Sequence, residues 1–208
     1  PLFHIGSLAP FIGSVGACGT YLTDVVFDPG RAVDLMAAEG VTLAWPWFSA
    51  IVQGLIDHPR FDPTKLASLR HLFMIAPNTL VQRVIDLLPQ AEILQACGMT
   101  ETAGVFALSD PNEPAASRVR TQGRAAPGIG IRIVNPDNGC DCPPGEMGEI
   151  WVRGYCVMDA YYKDPEKTAA SLTPEDWLRT GDLYVREASG SLIFNGRLKD
   201  MLKVGGEN

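Results

Sequence analysis

The chain changes its period at Ser109-Asp110-Pro111-Asn112-Glu113-Pro114, and the two sides of that turn-rich connector demand different layers of structure. Before it, helical and strand patterns alternate. Asp28-Pro29 opens a helix with a capping carboxylate and a proline in the first turn. The apolar Val33, Leu35, Met36 and Ala37 follow, and Gly40 closes it. Residues 41–45 then read as a buried strand, 48–56 as a helix, 69–75 as a second strand and 80–88 as a helix closed by Pro89. Ile93 and Leu94 start a third strand. Such alternation predicts a parallel sheet with helices against it. After the connector, short strands dominate, at 129–134, 149–153, 183–186 and 191–194. Pro136-Asp137-Asn138-Gly139 and Ala188-Ser189-Gly190 supply the turns between them. The expected fold is α/β: a parallel-sheet α/β subdomain over residues 1–115, then a small antiparallel β-barrel-like subdomain over residues 116–195.

Composition limits the partners. With 46% hydrophobic and 20% charged residues the chain has a globular composition, and 208 residues suffice for a sizeable core. The formal net charge is −7 without a Lys/Arg block, which argues against nucleic acid and anionic membranes. The five cysteines, Cys18, Cys97, Cys140, Cys142 and Cys156, are odd in number and scattered. Cys140 and Cys142 are too close for a zinc knuckle, and His4, His58 and His71 all precede them. Thiols in a reducing cytoplasm are the expectation. The uncharged stretch from Ile5 to Leu22 holds four glycines and a proline, so it reads as a buried helix packed closely through small residues rather than a membrane span. The absence of an initial methionine suggests a fragment.

Few residues are placed to do chemistry. An open α/β sheet binds ligands beyond the carboxyl ends of its strands, where Gly98-Met99-Thr100-Glu101 falls. Gly98 would allow a ligand close to the backbone. Thr100 offers a hydroxyl to a phosphate oxygen, and Glu101 a carboxylate to magnesium, whose shell phosphate oxygens complete. A polar loop in which Thr100 caps a helix fits the spacing equally well. Asp182, in Thr180-Gly181-Asp182, could accept hydrogen bonds from two vicinal hydroxyls of a ribose; spacing alone favours a turn aspartate bonding its own backbone. Arg197 and Lys199 alone read as a solvated basic surface. His4 has no acid or nucleophile nearby in sequence, and Trp45, Trp47 and Phe48 read as core or as a pocket wall. Neither a Gly-x-Ser-x-Gly elbow nor a dinucleotide fingerprint is present.

Taken together, the ordered segments PLFHIGSL, QACGMTET, GEIWVRGYCVMDAYYKDPEKT, WLRTGDL and GRLKDMLKVGGEN resemble the adenylate-forming, AMP-binding superfamily in its acyl-CoA synthetase form. The resemblance runs along the whole chain, which would be a central piece of the large N-terminal domain. It implies ATP or AMP, Mg2+ and coenzyme A as cofactors. Thr100 would contact the AMP phosphate and Glu101 would hold magnesium, the two serving as catalytic residues. Ala76, Pro77, Cys97, Gly98 and Met99 would lie along the nucleotide, Asp182 would bind the ribose hydroxyls and Arg197 would support the same ribose. Lys199 would be the pivot of a hinge over residues 196–208, and Gly205 and Gly206 would pass the pantetheine arm of CoA. His4, Trp47 and Phe48 would border the acyl pocket. A carboxylic acid, a fatty acid in the first instance, would be adenylated and then passed to CoA. Its chain length, ring content and the oligomeric state, a homodimer included, stay open.

The departures from the pattern are specific. Cys97 stands where the family usually has an aromatic residue on adenine, and Met74-Ile75-Ala76-Pro77 keeps only the Ala-Pro of the adenine loop. The family's phosphate loop would precede Pro1 and its catalytic lysine would follow Asn208, so the isolated chain is expected to be inactive in adenylation. Two other readings compete: a carrier-loading adenylation domain, disfavoured by Lys199-Asp200-Met201-Leu202, and a non-catalytic relic that binds an acyl group or nucleotide.

Overall fold

The computed structural model describes residues 2–200. It contains two compact units. Of the described residues, the first takes those up to Cys97 and Ser109–Arg120; the second takes Gly98–Leu108 and those from Thr121 to Asp200.

The first unit begins with α1 (Ile5–Gly16), whose N-terminus is capped by the His4 ring: Nδ1 accepts the Gly6 N–H at 3.0 Å. Here the expectation of a closely packed buried helix fails. Pro10 is its buried residue, while Phe11, Ile12 and Val15 are exposed. A Cβ built on Gly13 or Gly16 would meet nothing within 4 Å, so these glycines do not bring a neighbour close.

Helix α2 (Pro29–Ala38) starts as its sequence demands, with the Asp28 carboxylate accepting the Arg31 N–H at 2.7 Å. The chain leaves it through Gly40 at φ +58°. Then follow β1 (Leu43–Phe48), α3 (Ser49–Ile56), β2 (His71–Ile75), α4 (Asn78–Leu87) and β3 (Glu92–Met99). β1 pairs with β2 and β2 with β3, both in parallel, with Leu72 opposite Ile93 and Phe73 opposite Leu94. Helical crossovers are what a parallel pairing requires. The core gathers Val52, Leu69, Leu72, Met74, Val81, Val84 and Ile93; each such side chain contributes about 1.5–3 kcal/mol when fully buried. Gln95 is polar yet wholly buried. Its amide donates to the carbonyls of Arg118 and Val119 at 2.8 and 2.9 Å, serving the last turn of α5 (Ala115–Arg120).

In the second unit, β4 (Gly104–Leu108) pairs antiparallel with β5 (Arg124–Ala125). Beyond them β6 (Gly130–Val134), β7 (Met147–Arg153), β8 (Leu178–Arg186) and β9 (Leu192–Arg197) form an antiparallel sheet in that order, with α6 (Pro165–Ser171) between β7 and β8 in sequence. The small antiparallel β subdomain is therefore present, as an open sheet: among the described residues no pairing closes β6 onto β9. Ile150 and Val152 are fully buried, whereas Trp151 and Arg153 point to the other face. There the guanidinium of Arg132 lies 5.4 Å from the rings of both Trp151 and Trp177, with Arg179 over Trp151 at 5.2 Å.

Candidate functional site

Three turns of the second unit carry the polar candidates. The first is the 3₁₀ turn Thr100–Thr102 at the end of β3, left through Ala103 at φ +51°. Thr102, not Thr100, ties this turn: its hydroxyl accepts the Met99 N–H at 3.1 Å and donates to the Met99 carbonyl at 3.0 Å. Thr102 is buried and Thr100 exposed, so the Thr100 hydroxyl faces solvent. Gly98 meets a packing requirement that its sequence did not show. A Cβ there would lie 1.6 Å from the Gly104 carbonyl oxygen, so this glycine admits a neighbouring backbone.

Glu101 is half-buried, and its carboxylate has one oxygen engaged: the Tyr161 hydroxyl donates to Oε1 at 2.7 Å. The Met158 N–H donates to the Glu101 carbonyl at 2.9 Å. Tyr161 is itself held, its N–H donating to Thr168 Oγ1 at 3.0 Å and its ring lying 3.8 Å from Lys167 Nζ. Burial pushes the Tyr161 phenol above its ordinary value, and the Glu101 bond and charge push it further. The phenol therefore keeps its proton and remains a donor. Sequence reasoning missed Tyr161, since sixty residues separate it from Glu101.

Asp182 lies in the second turn, inside β8. It pairs across the ladder with Arg197 of β9, whose Nε is 3.2 Å from Asp182 Oδ1. The Asp182 side chain is mostly covered and that of Arg197 mostly exposed. Burial raises the Asp182 pKa, Arg197 opposes this, and the Glu149 charge adds to the rise. Asp182 does not bond its own turn: the Thr180 hydroxyl does that, accepting the Asp182 N–H at 3.1 Å. Lys199, in the third turn (Leu198–Asp200), is exposed just past β9. Gly205 and Gly206 lie outside the described residues.

The remaining candidates belong to the first unit. His4 stands edge-on to Phe48 with ring centroids 6.4 Å apart, and Trp47 Nε1 donates to the Gly6 carbonyl at 2.7 Å. The three thus meet around the start of α1. Trp47 holds φ +32°, a strained value for a large side chain. Pro77 is exposed before α4 and its carbonyl accepts from Leu80 and Val81, while Ala76 is half-buried. Cys97 is 1% exposed and offers almost no surface to a ligand.

These turns could bind a phosphorylated diol: a hydroxyl, a carboxylate with one free oxygen, and an acid–base pair for vicinal hydroxyls. Among the described residues no three His, Cys, Asp or Glu side chains gather into a metal cage. A single carboxylate such as Glu101 nonetheless fits magnesium, which takes few protein ligands when phosphate oxygens supply the rest.

Comparison with known proteins gives a consistent answer. The profile of the family described as AMP-binding enzyme matches residues 1–162. The chain is 36% identical to the indoleacetate–CoA ligase of Aromatoleum aromaticum over 212 residues, which is all of this chain and 40% of that protein. It is 34% identical to the 4-coumarate–CoA ligase-like 4 of Oryza sativa subsp. japonica, over 99% of this chain and 37% of the relative. Among solved structures, ATP-bound MatB from Rhodopseudomonas palustris superposes with a TM-score of 0.88 at 27% identity, covering 99% of this chain and 40% of that one. The o-succinylbenzoate-CoA synthetase of Bacillus subtilis in complex with AMP gives 0.83 at 27% identity, with coverages of 100% and 42%. The chain thus spans about two fifths of the length of these relatives.

Proposed function

The chain belongs to the AMP-binding enzyme family, and from that premise we propose that it is the nucleotide-handling part of an ATP-dependent carboxylic acid–CoA ligase. The observation that carries the reading is the Asp182–Arg197 pair, which presents a mostly covered carboxylate beside a cation at the end of β9. Such a carboxylate accepts hydrogen bonds from the two hydroxyls of a ribose, and the guanidinium holds its orientation. The exposed Thr100 hydroxyl donates to the α-phosphate. Glu101, steadied by Tyr161, would hold magnesium together with phosphate oxygens, and the ion would supply charge neutralisation at the reacting phosphorus.

The reaction then runs in two steps. The substrate carboxylate attacks the α-phosphorus, the bond to pyrophosphate breaks, and an acyl adenylate forms. The thiol of CoA attacks the acyl carbon, AMP leaves, and the thioester remains. Fixed donors aimed at the charge that develops in each step lower the barrier more than ones that must reorganise. Lys199 is the pivot about which a further domain would turn between the steps, and Gly205 and Gly206 would flank the thiol arm. His4, Trp47 and Phe48 form an aromatic group suited to an apolar acid; a fatty acid and an aryl acid are the two classes to compare. The cysteines support placement in a reducing, cytoplasmic compartment.

The test is to express the complete reading frame that contains this chain and follow carboxylate-dependent AMP and pyrophosphate release, with and without CoA, over fatty and aryl acids. AMP formation with a CoA thioester product is expected. AMP release without transfer to CoA would favour a carrier-loading enzyme instead. A folded protein that releases no pyrophosphate with any acid would overturn the proposal.

A further inference from the structure

Glu149 is a carboxylate that the chemistry above leaves unused, and its residue is only 8% exposed. A carboxylate at that depth needs partners, and it has two. The Trp151 Nε1–H donates to Oε2 at 2.7 Å and the Gly181 N–H donates to Oε1 at 2.8 Å. Glu149 and Trp151 share a face of β7 because they are two residues apart.

Strand register explains why the second partner exists. Opposite β7, Glu149 pairs with Leu183 and Trp151 with Arg179. Between those pairs β7 has only Ile150, whereas β8 has Thr180, Gly181 and Asp182. Two extra residues make a bulge, and its amides lose their ladder acceptors. A buried amide without an acceptor costs roughly as much as a lost hydrogen bond, so side chains take over. Thr180 Oγ1 accepts the Asp182 N–H and donates to the Ile150 carbonyl at 2.7 Å. The Glu149 carboxylate accepts the Gly181 N–H. Gly181 holds φ +73° at the apex, a conformation natural to glycine. The residue after that apex is Asp182.

We propose that Glu149 is a positioning residue of the nucleotide site: it clamps the bulge at Gly181 and so fixes the direction in which Asp182 presents its carboxylate to the ribose. This rests on the ribose role given to Asp182 above. Burial is the main cause that raises the Asp182 pKa; the Arg197 charge lowers it and the Glu149 charge raises it. The clamp therefore has a cost in like-charge repulsion, and an uncharged side chain would avoid it; the geometry of the bulge is what the carboxylate secures.

The experiment measures AMP and 2′-deoxy-AMP affinity by calorimetry on the protein from its complete reading frame, in wild type, D182A, E149A and E149Q, with circular dichroism to confirm folding. A hydrogen bond to a charged group should make wild type prefer AMP by about tenfold or more. D182A should lose that preference. E149A should lose most of it, because Gly181 is then unclamped, although Glu149 touches no ligand. E149Q keeps an acceptor for only one of the two N–H donors and should fall between. A change that merely loosens the fold would weaken both nucleotides equally and leave the ratio intact. A folded E149A that discriminates as wild type does, or a folded E149Q that discriminates less than E149A, overturns the inference. If wild type and D182A both bind the two nucleotides equally, the ribose role of Asp182 fails, and the clamp with it.

Discussion

Asp182 is held in the folded chain at a cost. Burial raises its pKa, the Glu149 charge adds to the rise, and Arg197 only partly opposes them. Below the ordinary carboxylate value of 3.8 the group is neutral in both folded and unfolded chains and contributes nothing. As pH rises from there to its raised folded value, the unfolded chain ionises first and the folded state loses ground. Above that interval the whole cost remains. Asp182→Asn should therefore raise the thermal midpoint at pH 7 while weakening nucleotide binding, a trade common at functional sites. The gain over wild type should shrink as pH falls toward 3.8. Thermal melts of the two proteins between pH 4 and pH 7 measure this; a lower midpoint for Asp182→Asn at pH 7 would show that the Arg197 pair outweighs burial. On spacing alone Asp182 read as an ordinary turn aspartate, and the family resemblance gave it a ribose role. The covalent chain shows the turn but not the cross-strand pair that covers the carboxylate.

Most elements were legible because their signals are local. The Asp28 cap and Gly40 exit bracket α2 as written in the sequence, and the buried run Ile93 to Cys97 of β3, apolar but for Gln95, matches a strand with both faces covered. The sequence misled at α1, where small residues suggested close packing and the structure shows open space at Gly13 and Gly16. Nor did it expose β4, or the bulge in β8, whose only local sign was Gly181. The sequence marked Gly98 as a place of close backbone approach by a ligand; the structure adds the Gly104 carbonyl, which approaches it across the Thr100–Thr102 turn. Gly98→Ala places a methyl against fixed backbone, where no side chain can rotate away. Overpacking ordinarily costs about 1–3 kcal/mol, and a backbone clash should reach the upper end of that range or exceed it. Urea unfolding of Gly98→Ala measures the cost; a loss below about 0.5 kcal/mol, the scale of a neutral surface change, would mean that β4 simply moves aside.

At the scale of the molecule, the candidate site was legible as residue types but not as partnerships. Thr100, Glu101, Asp182 and Arg197 were identifiable from their motifs, whereas the Tyr161 bond to Glu101 and the Glu149 bond to Gly181 join positions 60 and 32 residues apart. Burial likewise belongs to the whole chain, and the cysteines make it measurable. Cys18 and Cys140 are exposed, while Cys97, Cys142 and Cys156 are buried. Thiolate is the reactive form. Burial raises the Cys142 pKa, with the charges of Glu146 and Asp141 adding to it, and burial also raises that of Cys156. Cys140 and Cys142 are sequence neighbours of the same loop, so they share reagent, local composition and peptide. Access and ionisation alone should separate them. Pulse alkylation of the native protein at pH 8, read by fragment mass spectrometry, should label Cys18 and Cys140 first and Cys142 and Cys156 at least about tenfold more slowly. Denaturant should abolish the difference. Equal native rates at Cys140 and Cys142 would mean that the β6–β7 connection opens faster than the reagent reacts, and that the Cys142 thiol is not part of the second unit's packed interior.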